Sequence, residues 1–229
     1  MDEVTRIRQA YQRRDQQGKR GLYSCFRSDI LYSIQRREAE LFDLFKAEGI
    51  SDLSGLEILD LGCGNGAIIR DFVRYGARPE HLHGLDLLPD RIEEAQGVNP
   101  NIDFRCGNAE RLPYGDGQLD MVILFTVFTS ILDPGMRRNI AAEVLRVLKP
   151  GGIIIWYDYH MNNPRNPDVR GVKKDEITNL FPGCRFRCRR TSLAPPLATI
   201  LAPVSWILCT CLEMLRFLNT HYLCLIRKP

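Results

Sequence analysis

The chain is predicted to fold as an α/β protein built on a doubly wound, mainly parallel sheet, and three observations carry that expectation. From Leu56 onward, short aliphatic runs alternate with segments of helical spacing. The first run, Ile58 to Leu61, passes into the turn Gly62-Cys63-Gly64-Asn65-Gly66, and the second, His81 to Asp86, ends in an acid. Strands that end in glycine turns and carboxylates are how open α/β sheets hold ligands at their carboxyl edge.

In chain order, residues 1–48 read as helical. Val4, Ile7 and Tyr11 share one face, and Leu31, Ile34, Leu41, Leu44 and Phe45 recur at helical intervals up to Gly49, with a joint at Gly18 to Ser24. Residues 1–55 are thus expected to form a helical cap and 56–229 the α/β domain. The segment Ala67 to Val73 is helical and stops at Gly76, while a later helix opens with Asp133 as N-cap and Pro134 in its first turn. A short helix is expected over Asp175 to Phe181, then strands at Arg185 to Ser192 and Tyr222 to Arg227.

Composition sets outer bounds. A chain of 229 residues with 45% hydrophobic content supports one domain with a full core. A net charge of +3 does not by itself call for nucleic acid. The arginines and lysines between Arg165 and Arg190 read as a solvated face and the outward side of an edge strand. The opening Met1-Asp2-Glu3 and the missing apolar leader imply a cytoplasmic protein whose eight cysteines are reduced, with Cys184 and Cys188 as small buried hydrophobes. No Cys-x-x-Cys or His pair has metal-ligand spacing, so no metal is expected.

The glycine turn carries the chemistry. Gly62, Gly64 and Gly66 let the backbone approach a ligand closely, and Gly62-x-Gly64-x-x-Ala67 loosely fits a dinucleotide fingerprint. Asp60, just ahead of it, would repel a pyrophosphate and attract a cationic amino-acid group. Asp86 is placed to accept hydrogen bonds from both hydroxyls of a ribose. A ligand with a ribose, a cationic end and no phosphate is S-adenosylmethionine.

From about residue 56 to 160 the chain resembles the class I S-adenosylmethionine-dependent methyltransferases. ILDLGCGNGA (Ile58 to Ala67) is similar to their first motif, LDLLPDRIEEAQ (Leu85 to Gln96) to their second strand and following helix, CGNAERLPYGDGQLDMVIL (Cys106 to Leu124) to their adenine-binding turn and fourth strand, and EVLRVLKPGGIIIWYD (Glu143 to Asp158) to their fifth. The resemblance implies a seven-stranded Rossmann-like sheet with strands 6 and 7 as its antiparallel end. It also implies a cofactor set of Asp60, Gly62, Cys63, Gly64, Gly66, Asp86, Leu87, Asn108, Ala109, Glu110 and Phe125, closed over by Tyr23 and Tyr11 from the N-terminal helices. Asn108 stands where relatives commonly carry Asp, and its amide carbonyl still offers an acceptor to the adenine amino group. FTVFTSI (Phe125 to Ile131) replaces the polar, often His-containing stretch of many relatives.

The activity so implied is methyl transfer to a small-molecule acceptor. His160, past the end of the fifth strand, is the candidate general base or else a loop histidine bonded to a backbone carbonyl, and Asp158 is a second base or its orienting partner. His81 and His83 are read as structural. Where a hairpin would normally join strands 6 and 7, residues 193–220 intervene, rich in Leu, Ile, Trp and Cys. They are expected to form a helical lid over the acceptor, with peripheral membrane contact through 193–218 as the next reading, because prolines leave too short a helix to span a bilayer. With the polar loop Met161 to Asp168 opposite, the acceptor is expected to be amphipathic and the methylated atom an oxygen. A nucleic-acid acceptor is not expected, since no Asn/Asp-Pro-Pro-Tyr motif occurs.

Overall fold

The structure, a computed structural model, describes residues 2–16, 24–164 and 166–229. The Gly18 to Ser24 joint and Tyr23 therefore fall almost wholly outside the described residues. Helices α1 (Glu3–Gln16) and α2 (Ser28–Ala47) precede strand β1 (Ile58–Leu61), helix α3 (Ala67–Arg74), β2 (Leu82–Asp86), α4 (Pro89–Val98) and β3 (Asp103–Cys106). Then follow β4 (Leu119–Phe125), α5 (Pro134–Val147), β5 (Leu148–Tyr159), α6 (Lys174–Leu180), β6 (Arg185–Leu193), the short helices α7 (Pro195–Leu201) and α8 (Trp206–Glu213), and β7 (Asn219–Arg227). The sheet order is β3-β2-β1-β4-β5-β7-β6. Strands β1 to β5 pair in parallel, and β7 runs antiparallel to both β5 and β6. This is the expected seven-stranded Rossmann-like architecture.

Alternation along the strands explains why the sheet is buried on both faces. Val122, Leu124, Ile154, Trp156, Cys224 and Ile226 point into one core with Met136, Ile140 and Val144 of α5 and Ile177 of α6. Met121, Ile123, Ile153, Ile155, Leu223 and Leu225 point into the other, with Ile69 and Phe72 of α3 and Ile92 of α4. The two N-terminal helices divide between the faces: Ile7 of α1 joins the first core, and Leu41, Leu44 and Phe45 of α2 join the second. Asp133 caps α5 as expected, its carboxylate accepting from the Met136 amide at 2.7 Å. Strand β2 begins at Leu82 rather than His81, which lies in a one-turn 3₁₀ helix. His81 and His83 bind Glu57 at 2.6 and 2.9 Å, a cluster near the amino ends of β1 and β2 and far from the carboxyl edge.

The thiol expectation needs correction. Cys188 and Cys224 stand directly opposite each other on β6 and β7 and are joined in a disulfide, their Cα atoms 4.0 Å apart. Alternation with arginine on β6 is visible in the sequence, but the pairing depends on the antiparallel register with a strand 36 residues away. The arginines of β6 do face outward from an edge strand: Arg185 and Arg187 pair with Glu48, and Arg189 with Asp43.

The insertion between β6 and β7 leaves the sheet at its carboxyl edge, because β6 is parallel to β5. It packs on α2, with Tyr32 buried among Leu193, Ala198, Ala202 and Cys209. One carboxylate fastens it. Glu213, with 3% of its side chain exposed, accepts from Tyr32 Oη at 2.9 Å, Arg36 Nε at 2.8 Å and the Ser192 amide at 2.8 Å. Replacing a buried, fully engaged ion-pair member strands its partners without water, at a cost of roughly 3–5 kcal/mol. Glu213→Ala is accordingly expected to lower the unfolding free energy by about that amount. Urea unfolding followed by fluorescence checks this, and a loss below about 1 kcal/mol would show that the insertion is held by apolar packing alone.

Candidate cofactor-binding and active site

The strand order reverses between β1 and β4, and there the loops after parallel strands diverge to opposite faces and leave a crevice. Leu61, Gly62 and Gly64 after β1, Asp86 and Leu87 after β2, and Asn108 and Ala109 after β3 line this cleft, with Phe125 at the end of β4. Gly62 and Gly64 have φ of +76° and +53°, conformations that side chains disfavour. A Cβ on Gly62 would lie 2.9 Å from Val127 across the cleft, so the loop's path demands the missing side chain.

Asp86 is the hub. Its carboxylate accepts from the Gly64 amide and the Leu88 amide, both at 2.9 Å, locking the β1–α3 and β2–α4 turns together. Burial raises its pKa, and the Leu88 and Gly64 amides oppose that shift. Each oxygen keeps a second lone pair for a ligand hydroxyl. Asp60, the last buried carboxylate before the glycines, is pushed up to about 7, first by burial and then by Asp86. Its Oδ2 is buried with no hydrogen-bond partner among the described residues. A buried, unpaired carboxylate oxygen is costly unless a donor meets it, and a ligand ammonium is such a donor. Asn108 accepts from the Glu110 amide at 3.0 Å, which fixes the turn that would face an adenine. The residue set thus fits S-adenosylmethionine at both ends.

Besides Asp60, which is buried behind the lining, three of the expected cofactor residues that the structure describes do not line the cleft. Cys63 is buried with its sulfur beneath Gly84, where a Cβ would approach it to 2.9 Å, and burial pushes its thiol pKa up. Gly66 opens α3 at φ +75° against Phe104. Glu110 turns outward to Asn139 of α5 at 2.8 Å. All three shape the turns, and an alternating motif does not distinguish that task from ligand contact.

Helix α1 supplies one wall of the cleft, with Tyr11 where it was expected. Ile7 and Tyr11 line the cleft, and Tyr11 Oη lies 3.2 Å from Ser130 Oγ. Four polar ties fix the helix there: Glu3 to the Leu132 amide, Arg6 to the Ser130 carbonyl, Arg13 to Asp168, and Asp15 to the lining residue Arg91 at 2.6 Å. The shared Ile7–Tyr11 face was legible, but these partners lie 76 to 155 residues away. The insertion contributes none of the cleft's lining residues.

Asp158 does not orient His160. Its buried carboxylate accepts from Thr129 Oγ1 at 2.6 Å and from the Thr129 and Tyr159 amides, while burial pushes its pKa up to about 6. His160 Nε2 donates to the Asn219 carbonyl at 2.8 Å, leaving Nδ1 as the unprotonated nitrogen of the neutral ring. Its ring rests on Tyr222, outside the cofactor cleft. Beyond Phe125 lies an aromatic wall. Tyr157 packs 5.3 Å from Phe125 and stacks 4.5 Å from His221, and Arg37 of α2 lies over both Phe125 and Tyr157 at 5.1 and 5.2 Å. Burial pushes His221 down to about 3, so it is neutral. Thr126 closes this corner at φ +56°, an uncommon conformation for a side-chain-bearing residue. No group of three or more His, Cys, Asp or Glu among the described residues is placed to hold a metal ion.

Residues 58–152 match the family model described as a methyltransferase domain. The phthiotriol/phenolphthiotriol dimycocerosates methyltransferase of Mycobacterium tuberculosis is 37% identical over 114 residues, covering 49% of this chain and 41% of its own. The demethylmenaquinone methyltransferase of Lactococcus lactis is 33% identical over 148 residues, covering 61% and 57%. The chain spans about half the length of the curated relatives it matches. A solved structure from Pyrococcus horikoshii overlays with a TM-score of 0.64 at 18% identity, covering 91% of this chain and 96% of its own. Residues 58–152 thus form a methyltransferase domain, and the fold and cleft agree with the class I S-adenosylmethionine-dependent type.

Two expectations follow from the carboxylates. Asp86→Ala removes an acceptor for buried hydroxyls and is expected to weaken S-adenosylhomocysteine binding by roughly 2–4 kcal/mol. Parental affinity in calorimetry would remove Asp86 from the ribose site. Asp60 in the free protein titrates near 7, and only its ionised form attracts an ammonium. Affinity is therefore expected to rise with pH from about 5.5 to about 7 and then flatten, with proton release on the acid side. Asp60→Asn should abolish that slope, and a slope unchanged in the variant would assign it to another group.

Proposed function

We propose that this protein transfers a methyl group from S-adenosylmethionine to an oxygen of an amphipathic small molecule, such as a lipid-linked sugar or a quinone- or polyketide-like metabolite. The observation that carries the reading is the pairing of Asp86 with the unpartnered Asp60 oxygen across one glycine cradle. When bound, S-adenosylmethionine supplies a methyl group already activated by its sulfonium. The chain's contribution is to hold the acceptor in line and to take its proton.

The wall of Phe125, Tyr157, neutral His221 and Arg37 supports an acceptor with an apolar body and a polar or anionic handle. That relatives are named for lipid and quinone-type methylation agrees with it. Nucleic acid is disfavoured because the β6 arginines facing Glu48 and Asp43 are already paired. Use of the cellular S-adenosylmethionine pool would suit action in the cytoplasm.

His160 is the base in this reading: the Asn219 carbonyl fixes its tautomer and leaves Nδ1 to accept the hydroxyl proton. His160→Ala is expected to lower transfer by ~10² to 10⁴ fold with S-adenosylhomocysteine affinity unchanged. Parental turnover would leave His160 only its bond to β7.

The deciding experiment incubates the protein with methyl-labelled S-adenosylmethionine and a lipid-soluble cell extract. Label is expected in an organic-extractable product. Tight cofactor binding with no transfer to lipid or aqueous extracts would support the second reading, a cofactor-binding scaffold without turnover.

A further inference from the structure

The insertion carries an unusual surface. Val204, Ile207, Met214 and Phe217 are 72–80% exposed, and Ile200 is 69% exposed. Of the thirteen large apolar residues exposed among those described, eight lie between Ile200 and Phe217. Between Arg190 and Arg216 the sequence holds one formal charge, Glu213. That charge is turned inward to Arg36, Tyr32 and Ser192. The outer face of α7 and α8 is thus left without any charged side chain, over a stretch where solvated surfaces normally place several.

The rim has the opposite character. Arg216 is exposed, lies between Leu215 and Phe217, and has no carboxylate partner among the described residues. At the other side, Thr199 of α7 donates to Asp29 at 2.8 Å, which brings the start of α2 alongside with fully exposed Phe26, while Arg27 there is paired with Asp29 at 2.8 Å. Helices of seven and eight residues reach only about 10–12 Å at ~1.5 Å per residue. No helix among the described residues is long and apolar enough to cross a membrane.

We propose that α7, α8 and the turn to β7 form a monotopic docking face for an anionic lipid surface. Ile200, Val204, Ile207, Met214 and Phe217 enter the acyl boundary, and Arg216 meets the headgroups. An uncharged apolar face bordered by arginine and aromatic side chains is the pattern that lies in a bilayer interface. The position gives docking a purpose. The face leaves the sheet at its carboxyl edge, Ser192 at its root bonds Tyr157 at 2.7 Å, and Tyr157 abuts Phe125 in the cofactor cleft. An amphipathic acceptor held in the bilayer would reach the cleft along that wall. The proposal deepens the amphipathic-acceptor reading, yet vesicle binding is scored without methyl transfer, so either can fail alone.

The full chain is floated with phosphatidylcholine vesicles, with and without about 30 mol% phosphatidylglycerol. It is expected to float with the anionic vesicles, less with neutral ones, and less as salt rises. The double variant Ile207→Asp/Phe217→Asp is expected to lower partitioning at least about tenfold, and Arg216→Glu to lower it on anionic vesicles only. Val98→Asp, at an exposed apolar position on α4, serves as the control and should float like the parent. Calorimetry with S-adenosylhomocysteine confirms that each variant is folded. Brominated lipid should quench Trp206, since Trp156 is buried in the core. Absence of flotation on anionic vesicles, or a double variant that floats like the parent, would overturn the proposal. So would a parent that is dimeric and lipid-free while the double variant is monomeric, which would make the face a contact between copies.

Discussion

The site rests on one carboxylate. Asp86 ends β2 and reaches across to the glycine turn after β1, accepting from the Gly64 and Leu88 amides. Two backbone turns that emerge separately from the sheet are held at fixed separation by a side chain shorter than either. Because amides donate to both oxygens, the carboxyl group is oriented before any ligand arrives, and its remaining lone pairs point where hydroxyls must come. The same burial that makes this geometry firm raises the pKa of Asp86, and burial likewise raises that of Asp60, to which the nearby Asp86 charge adds. The cradle thus sets two buried acids close together, the charge of one disfavouring that of the other.

The N-terminal helices are walls of the site rather than an appended cap. Helix α1 packs Ile7 into one core and brings Tyr11 over the cleft, while α2 packs Leu41 and Leu44 into the other core and carries Arg37 to the aromatic wall. The ties of α1 are ion pairs and bonds to backbone carbonyls and amides, each partly exposed and individually weak.

Legibility in the sequence followed range. The glycine turn, Asp86, Asn108 and Ala109 were readable because strand, turn and helix within a few residues decide where they point. The antiparallel end of the sheet came through the resemblance, and its register then set what local spacing had obscured: Cys188 meets Cys224 only because β6 and β7 align residue for residue. Cys63, Gly66 and Glu110 share the motif's spacing yet face inward or outward from the cleft, since alternate residues of a tight turn diverge. A spacing of two would put Asp158 and His160 on one face of an extended strand, but β5 ends at Tyr159, so Asp158 is buried under Thr129 while His160, past the strand end, turns toward Asn219. Nothing local in Glu3, Arg6 or Asp15 announced partners more than 70 residues away.

Glu213 joins the insertion to the chemistry. Through the Ser192 amide it helps hold that residue at φ +66°, a conformation costing roughly 1–3 kcal/mol without support. Ser192 in turn bonds Tyr157, whose ring contacts Phe125 and His221. The chain of contacts runs from the apolar outer face, through one buried carboxylate and one strained serine, to the aromatic wall beside the cleft. Each link is short and buried, so a displacement of α8 cannot be absorbed by solvent and must move Ser192, and with it the Tyr157 hydroxyl. The insertion is therefore joined by direct contacts to the aromatic wall even though it contributes no residue to the cofactor cleft.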